Sequence, residues 1–163
     1  MNQLVLPTHT NALGTIFGGQ VMAWIDICAA MTAMRHARNS VVTASMDALD
    51  FIAPIRLGDL VTLRAMVNYV GRTSMEVGVR VEAEDPRTGV RAHTSSAYLT
   101  FVAIDEDGAA VPVRRLELQT DTERLRHAEA KARRTQRLAL ADARAQLRDA
   151  HAAERNAADG PKG

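Results

Sequence analysis

Within the first 113 residues a single long stretch carries helical spacing, and four long β-type runs follow it with only tight turns between them. The helical stretch opens at Gly18-Gly19 and runs to about Ala37, with Val21, Trp24, Ile25, Cys28 and Thr32 spaced for one face and Asn39-Ser40 ending it. Its many alanines let a neighbouring surface come close. The strand runs span Val41–Phe51, Leu60–Val70, about Thr73–Glu82 and Val90–Ile104, punctuated by Pro54, Gly58-Asp59, Gly71 and Asp85-Pro86-Arg87-Thr88-Gly89. In the third run, Thr73, Met75, Val77, Val79 and Val81 point one way, and Ser74, Glu76, Arg80 and Glu82 the other. Connections this short favour antiparallel neighbours. A short apolar run, Leu4 to Leu6, precedes Pro7. One helix is available to cover one sheet. The expected class is α+β: an antiparallel sheet wrapped around a long central helix.

Charge divides the chain at the same place as texture. Residues 1–113 hold 8 Lys and Arg against 11 Asp and Glu, whereas 114–163 hold 12 against 8. From Val113 to Asp159 there is no glycine or proline, and Ala, Arg, Glu and Leu dominate. We therefore expect a folded body over 1–118 and a C-terminal helical extension over 119–163, helical from about 120 to 157 and frayed from Gly160 to Gly163. The overall charge of +1 argues against a dedicated nucleic-acid binder. A single cysteine excludes a disulfide framework and a Cys-rich zinc site, and the five histidines show no close ligand pair, so no metal is expected. No run reaches the roughly 18 apolar residues of a membrane span, and no signal peptide is evident, so a cytoplasmic protein is expected.

The chemistry-bearing residues are those that look misplaced. Asp26 is the only charge between Ile16 and Met34, mid-helix among Trp24, Ile25, Ile27 and Cys28. A carboxylate there must be solvated, paired or functional, because bare burial costs several kcal/mol or more: a satisfied or interface-facing Asp, or a catalytic one. Asn11 lies in a polar turn before the helix. Gly18 and Gly19 at the helix start allow either close packing or the approach of a carbonyl to free backbone N–H groups, an oxyanion hole built without side chains. Gly71-Arg72-Thr73-Ser74 reads as a connecting turn or as an anion site, with an Arg fork, two hydroxyls and backbone N–H groups. Thr43 alone is an ordinary strand former. Cys28 reads as core, His9 as a turn residue and His36 as a helix-end residue beside the negative dipole end.

Asn11-Ala12-Leu13-Gly14-Thr15-Ile16-Phe17-Gly18-Gly19, followed by Met22-Ala23-Trp24-Ile25-Asp26, resembles the hotdog-fold acyl-CoA thioesterases, in particular the bacterial YciA-like enzymes and the cytosolic long-chain acyl-CoA hydrolases. Val42-Thr43-Ala44, Asp50-Phe51-Ile52-Ala53-Pro54, Gly71-Arg72-Thr73-Ser74-Met75 and Val102-Ala103-Ile104-Asp105 continue the match. The resemblance implies hydrolysis of fatty acyl-CoA to free acid and CoA, with CoA as part of the substrate and no cofactor. It implies a homodimer assembled into a trimer of dimers, with sites between subunits. On that pattern Asp26 is the catalytic carboxylate, Asn11 its partner from the other subunit and Thr43 a third polar member. Gly18 or Gly19 supplies the oxyanion N–H, and Arg72, Thr73 and Ser74 meet the CoA nucleotide. Neither nucleic acid nor membrane is an expected partner. The competing readings are a non-catalytic acyl-CoA sensor on the same fold and a hotdog dehydratase or hydratase, which would pair a histidine with a carboxylate.

Overall fold

The computed structural model describes residues 1–47 and 49–158, with side chains as far as residue 151. It forms two compact units, one over Met1–Gln119 and a second that begins at Thr120. In the first unit the strands β1 (Asn2–Leu4), β2 (Ser40–Met46), β3 (Leu60–Val70), β4 (Ser74–Glu84) and β5 (Arg91–Ile104) make one sheet in the order β1-β3-β4-β5-β2. Every neighbouring pair is antiparallel. The helix α1 (Gly18–Ala37) packs on one face of this sheet, against β2, β3, β4 and β5. The fold is the expected α+β hotdog arrangement.

The core follows from two periodicities meeting. Along β4, Met75, Val77, Val79, Val81 and Ala83 turn to the helix side and are buried; Val61 and Leu63 of β3 and Leu99, Phe101 and Ala103 of β5 join them. From α1 come Val21, Trp24, Ile25, Cys28, Ala29 and Ala33. Ala29 and Ala33 are fully buried, and their small size brings the helix close to the sheet.

Several boundaries differ from expectation. The first strand is Asn2–Leu4 rather than Leu4–Leu6, because Val5 turns inward. The Val5 N–H donates to Asp59 O at 3.0 Å, and its carbonyl accepts the Gly58 N–H at 3.0 Å. The strand expected over Val41–Phe51, which includes Ala48 outside the described residues, is regular only to Met46. Its register against β5 shifts between Thr43 and Ser45. Beyond that, Asp47 N–H donates to Tyr98 O at 2.9 Å and Ile52 N–H to Thr94 O at 2.8 Å, so the chain still follows β5 without a regular ladder. The helix ends on Arg38 in the left-handed region (φ 57°), its N–H bonded to Met34 O at 2.9 Å. Glu76 lies on the outer, polar side of β4 as expected, yet it is only 1% exposed. Asn68 beside it is also buried, and a Cβ at Gly78 would stand 2.5 Å from Asn68 Nδ2, so glycine makes that packing possible.

The second unit contains α2 (Asp121–Ala158). Thr120 starts it with a reciprocal cap: Glu123 N–H donates to Thr120 Oγ1, and Thr120 N–H donates to Glu123 Oε2 at 2.8 Å. Leu125, Leu138, Leu140 and Leu147 are exposed. The expected frayed end, Gly160 to Gly163, lies outside the described residues.

Candidate active site

Asp26 stands on the face of α1 turned away from the sheet, half-buried between exposed Met22, Ala23 and Ile27. Its partner is Thr43 of β2, whose Oγ1 donates to Asp26 Oδ1 at 2.7 Å. Edge strand β2 follows α1 after a two-residue connection, so it runs back alongside the helix and brings Thr43 opposite Asp26. The hydroxyl fixes one carboxylate oxygen. Oδ2 has no hydrogen-bond partner among the described residues, which leaves a fixed base with an open acceptor.

Asn11 belongs to a hairpin-like loop closed by the Thr10–Ile16 bridge and by Asn11 N–H to Thr15 O at 2.8 Å. The loop is tied to the 54–59 segment by Ile16 N–H to Ile55 O at 2.8 Å. Asn11 Oδ1 accepts the N–H groups of Leu13 at 2.9 Å and Thr15 at 3.3 Å, and Nδ2 donates to Thr15 Oγ1 at 3.0 Å. Two backbone donors aimed at one atom identify it as the oxygen. The oxygen is therefore committed to the loop, while the NH₂ keeps a second hydrogen for another acceptor. No hydrogen bond joins Asn11 to Asp26 or Thr43 among the described residues.

The loop delivers the chain to the first turn of α1. Phe17 is the N-cap and supplies no capping side chain. Gln20 N–H returns to Phe17 O at 2.9 Å and Val21 N–H to the same oxygen at 3.4 Å. The N–H groups of Gly18 and Gly19 have no partner among the described residues, as expected for the open first turn of a helix. Two rings flank them. A Cβ at Gly19 would collide with Phe17, 2.3 Å from Cε1, and one at Gly18 would touch Phe51 Cζ at 3.4 Å. Phe17 and Phe51 are both exposed in the single chain, so a pair of bare donors sits between apolar rings.

The Thioesterase superfamily model matches residues 13–90. The uncharacterized acyl-CoA thioester hydrolase YkhA of Bacillus subtilis is 44% identical over 133 residues, 82% of this chain and 77% of that one. Among solved structures, an apo-hexameric acyl-CoA thioesterase superposes with a TM-score of 0.83 at 48% identity, covering 86% of this chain and 90% of the other. The chain belongs to the hotdog-fold acyl-CoA thioesterases. A second member of the family, the acyl-CoA hydrolase of Staphylococcus aureus in complex with butyryl coenzyme A, coenzyme A and coenzyme A disulfide, superposes with a TM-score of 0.85 at 39% identity, covering 93% of each chain. That hydrolase has also been solved with alanine in place of an aspartate, of an asparagine and of a threonine.

The remaining thioesterase candidates lie at the β3–β4 turn. Gly71 N–H donates to Ser74 O at 2.7 Å, closing the turn. Arg72 is exposed, its carbonyl holding the Val113 N–H at 2.9 Å, and Thr73 O accepts the Ala103 N–H at 3.0 Å. The carbonyls of this turn are thus spent on the scaffold, and the Arg72 side chain projects from a fixed base. His36 is tied to the same segment through Nε2 and Arg114 O, 3.0 Å apart. Cys28 is buried with Sγ 3.8 Å from Leu63 O, and burial pushes its thiol above the usual 9.0. It is core, not nucleophile. Among the described residues no group of three His, Cys, Asp or Glu could hold a metal ion, and no helix is long and apolar enough to cross a membrane. Sequence reasoning missed Phe17 and Phe51. No signal in the sequence marks them: Phe51 meets Gly18 only in the folded chain, and the exposure of both rings shows only in the structure.

Proposed function

We propose that this chain hydrolyses fatty acyl-CoA thioesters to the free acid and CoA, with Asp26 as the base. The carrying observation is the 2.7 Å bond from Thr43 Oγ1 to Asp26 Oδ1, on the uncovered face of a helix whose basic residues, Arg35 and His36, are confined to its last turn. Asp26 Oδ2 takes a proton from water as the water oxygen bonds to the thioester carbon. The carbonyl oxygen gathers negative charge and is met by the N–H of Gly18 or Gly19 at the positive end of α1. The C–S bond then breaks, and the proton on Asp26 passes to the departing thiolate. Asn11 contributes its free NH₂ hydrogen to the water or the carbonyl. Phe17 and Phe51 keep bulk water from the donors. Arg72, Thr73 and Ser74 receive the phosphates of the CoA nucleotide.

Spacing supports the assignment. In the Staphylococcus aureus hydrolase the altered asparagine precedes the altered aspartate by 15 positions and the threonine follows it by 17; Asn11, Asp26 and Thr43 have the same separations. The reading places the thioesterase domain at 1–118, with 119–163 as a helical appendage, and needs no metal or organic cofactor. It places the protein in the cytoplasm without a nucleic-acid or membrane partner. Self-association is part of it. The uncovered apolar face of α1 calls for a second copy, Asn11 reaches Asp26 from that copy, and three such dimers make a hexamer, the state of the apo-hexameric relative.

The test is thiol release from a panel of acyl-CoA esters by wild type and Asp26→Asn. Loss of the base should lower kcat about 10²–10⁴-fold while the fold and CoA binding persist. Retained turnover would overturn the assignment of Asp26, and tight ester binding by wild type without turnover would favour a sensor. Single turnover in ¹⁸O-labelled water tests water attack: the label belongs in the acid, with none traced to Asp26.

A further inference from the structure

We infer that His9 is a positioning residue for hydrolysis, the latch that holds the Asn11 loop on the start of α1. The inference rests on the reading of Asn11 and Gly18-Gly19 as parts of the site. His9 closes the 3-10 turn Pro7–His9. Its ring Nδ1 accepts the Leu6 N–H at 3.2 Å, and its own N–H donates to Leu6 O at 2.9 Å. Its carbonyl accepts the N–H of Phe17, the N-cap of α1, at 2.8 Å. Its ring stands edge-to-face on Trp24, with centroids 5.1 Å apart and planes at 89°. Trp24 is a buried residue of α1, two positions before Asp26.

One residue therefore grips three things: the incoming chain at Leu6, the N-cap of α1 at Phe17, and the body of α1 at Trp24. The segment between the grips is the loop that carries Asn11. A ring that accepts from Leu6 at Nδ1 carries its proton on Nε2, so the acceptor is the specific requirement. Apolar bulk on Trp24 would not replace it. Without the acceptor the exposed Leu6 N–H turns to water; the 3-10 turn keeps its backbone bonds but loses its side-chain tie to the incoming chain, and the Asn11 loop is less firmly fixed relative to the glycine N–H pair. A catalytic group misplaced by about 1 Å can cost as much as 10²-fold.

Four substitutions separate positioning from bulk packing. His9→Asn presents an acceptor where Nδ1 stood, His9→Gln presents one where Nε2 stood, His9→Phe keeps the ring on Trp24 with no acceptor, and His9→Ala removes both. We expect kcat to fall about tenfold or more in the Ala, Gln and Phe variants, with KM for acyl-CoA within about twofold, and to return to within about threefold of wild type in His9→Asn. Thermal melts should rank the variants differently, with His9→Phe nearest wild type. Equal kcat for the Asn and Phe variants, or wild-type kcat for His9→Ala, would overturn the latch. If His9→Ala does not fold, the Asn-against-Phe comparison still decides. Asp26→Asn measured alongside tells the two failures apart, since full activity there would overturn Asp26 as the base, whereas the latch is decided by the comparison among the His9 variants.

Discussion

The two faces of α1 are nearly equal in apolar content and opposite in what covers them. The sheet face carries Val21, Trp24, Ile25, Cys28, Ala29 and Ala33, all buried. The other carries Met22, Ala23, Ile27, Met31 and Met34, all exposed in the single chain, together with Asp26. A helix apolar on every side is ordinarily buried on every side. The difference between the faces therefore lies in chemistry, not in hydrophobicity. Apart from Trp24, the covered face uses small and branched side chains that fill fixed space against strands, whereas the open face uses three long flexible methionines, suited to a changing neighbour or an acyl chain, and places Asp26 among them.

Loading the open face should give the largest effect. Met31→Lys would bury an ammonium group in the proposed contact between copies, at a cost of several kcal/mol, and so weaken association by about 10²-fold or more. The isolated chain should lose no more than about 0.5 kcal/mol, because in it Met31 is already exposed. Light scattering should show smaller particles, and thiol release should fall with them. Unchanged mass would mean that this face is not where copies meet.

Enlarging the covered face acts on the fold instead. Ala29 is fully buried between helix and sheet, so Ala29→Leu should cost about 1–3 kcal/mol and lower Tm by several degrees. Ala30, the next residue, is half-buried, and the same change there should be much milder. Equal melts for the two would remove the distinction between the faces.

Cys28 reports on the covered face without a change of residue. Burial raises its thiol pKa, so alkylation of the native protein should be slow at neutral pH and follow opening of the fold. The sign of the linkage follows. The unfolded chain gives up this proton near 9.0 and the folded chain at higher pH, so the stability that the thiol contributes is whole below 9 and declines as pH rises past it. Cys28→Ser titrated in parallel should lack that part of the alkaline loss, and rapid labelling of folded wild type at neutral pH would contradict the burial.

What could be read from the sequence follows from how local each signal is. The helix, the antiparallel order and the oddity of Asp26 rest on spacing within one segment, and spacing survives folding. The bond from Thr43 to Asp26 does not show at that level, because it joins two elements and depends on how β2 returns along α1. The early end of β2 at Met46 was hidden for a similar reason: Val41 to Phe51 has strand composition throughout, but the register shift between Thr43 and Ser45 is set by its partner β5. Glu76 illustrates the limit of alternation, which tells the side of the sheet but not whether that side is open. For the same reason Phe17 and Phe51 carry no signature of a site; only the fold shows them beside the two bare N–H groups.

The smallest expected effect lies where the two faces of α1 run out. The sequence suggested an ending at Asn39-Ser40, yet the left-handed position is taken by Arg38 at φ 57°. A side chain there pays a backbone penalty of about 1–2 kcal/mol that glycine does not. The Arg38 N–H already closes the helix onto Met34 O, and a glycine would keep that bond. Arg38 also places a cation beside the negative end of the helix, worth a few tenths of a kcal/mol when exposed, and glycine loses more backbone freedom on folding. The balance favours Arg38→Gly by about 0.5 kcal/mol, a gain of one or two degrees in Tm at unchanged kcat. A lower Tm would show that the arginine head holds the end of α1 more tightly than its backbone strains it.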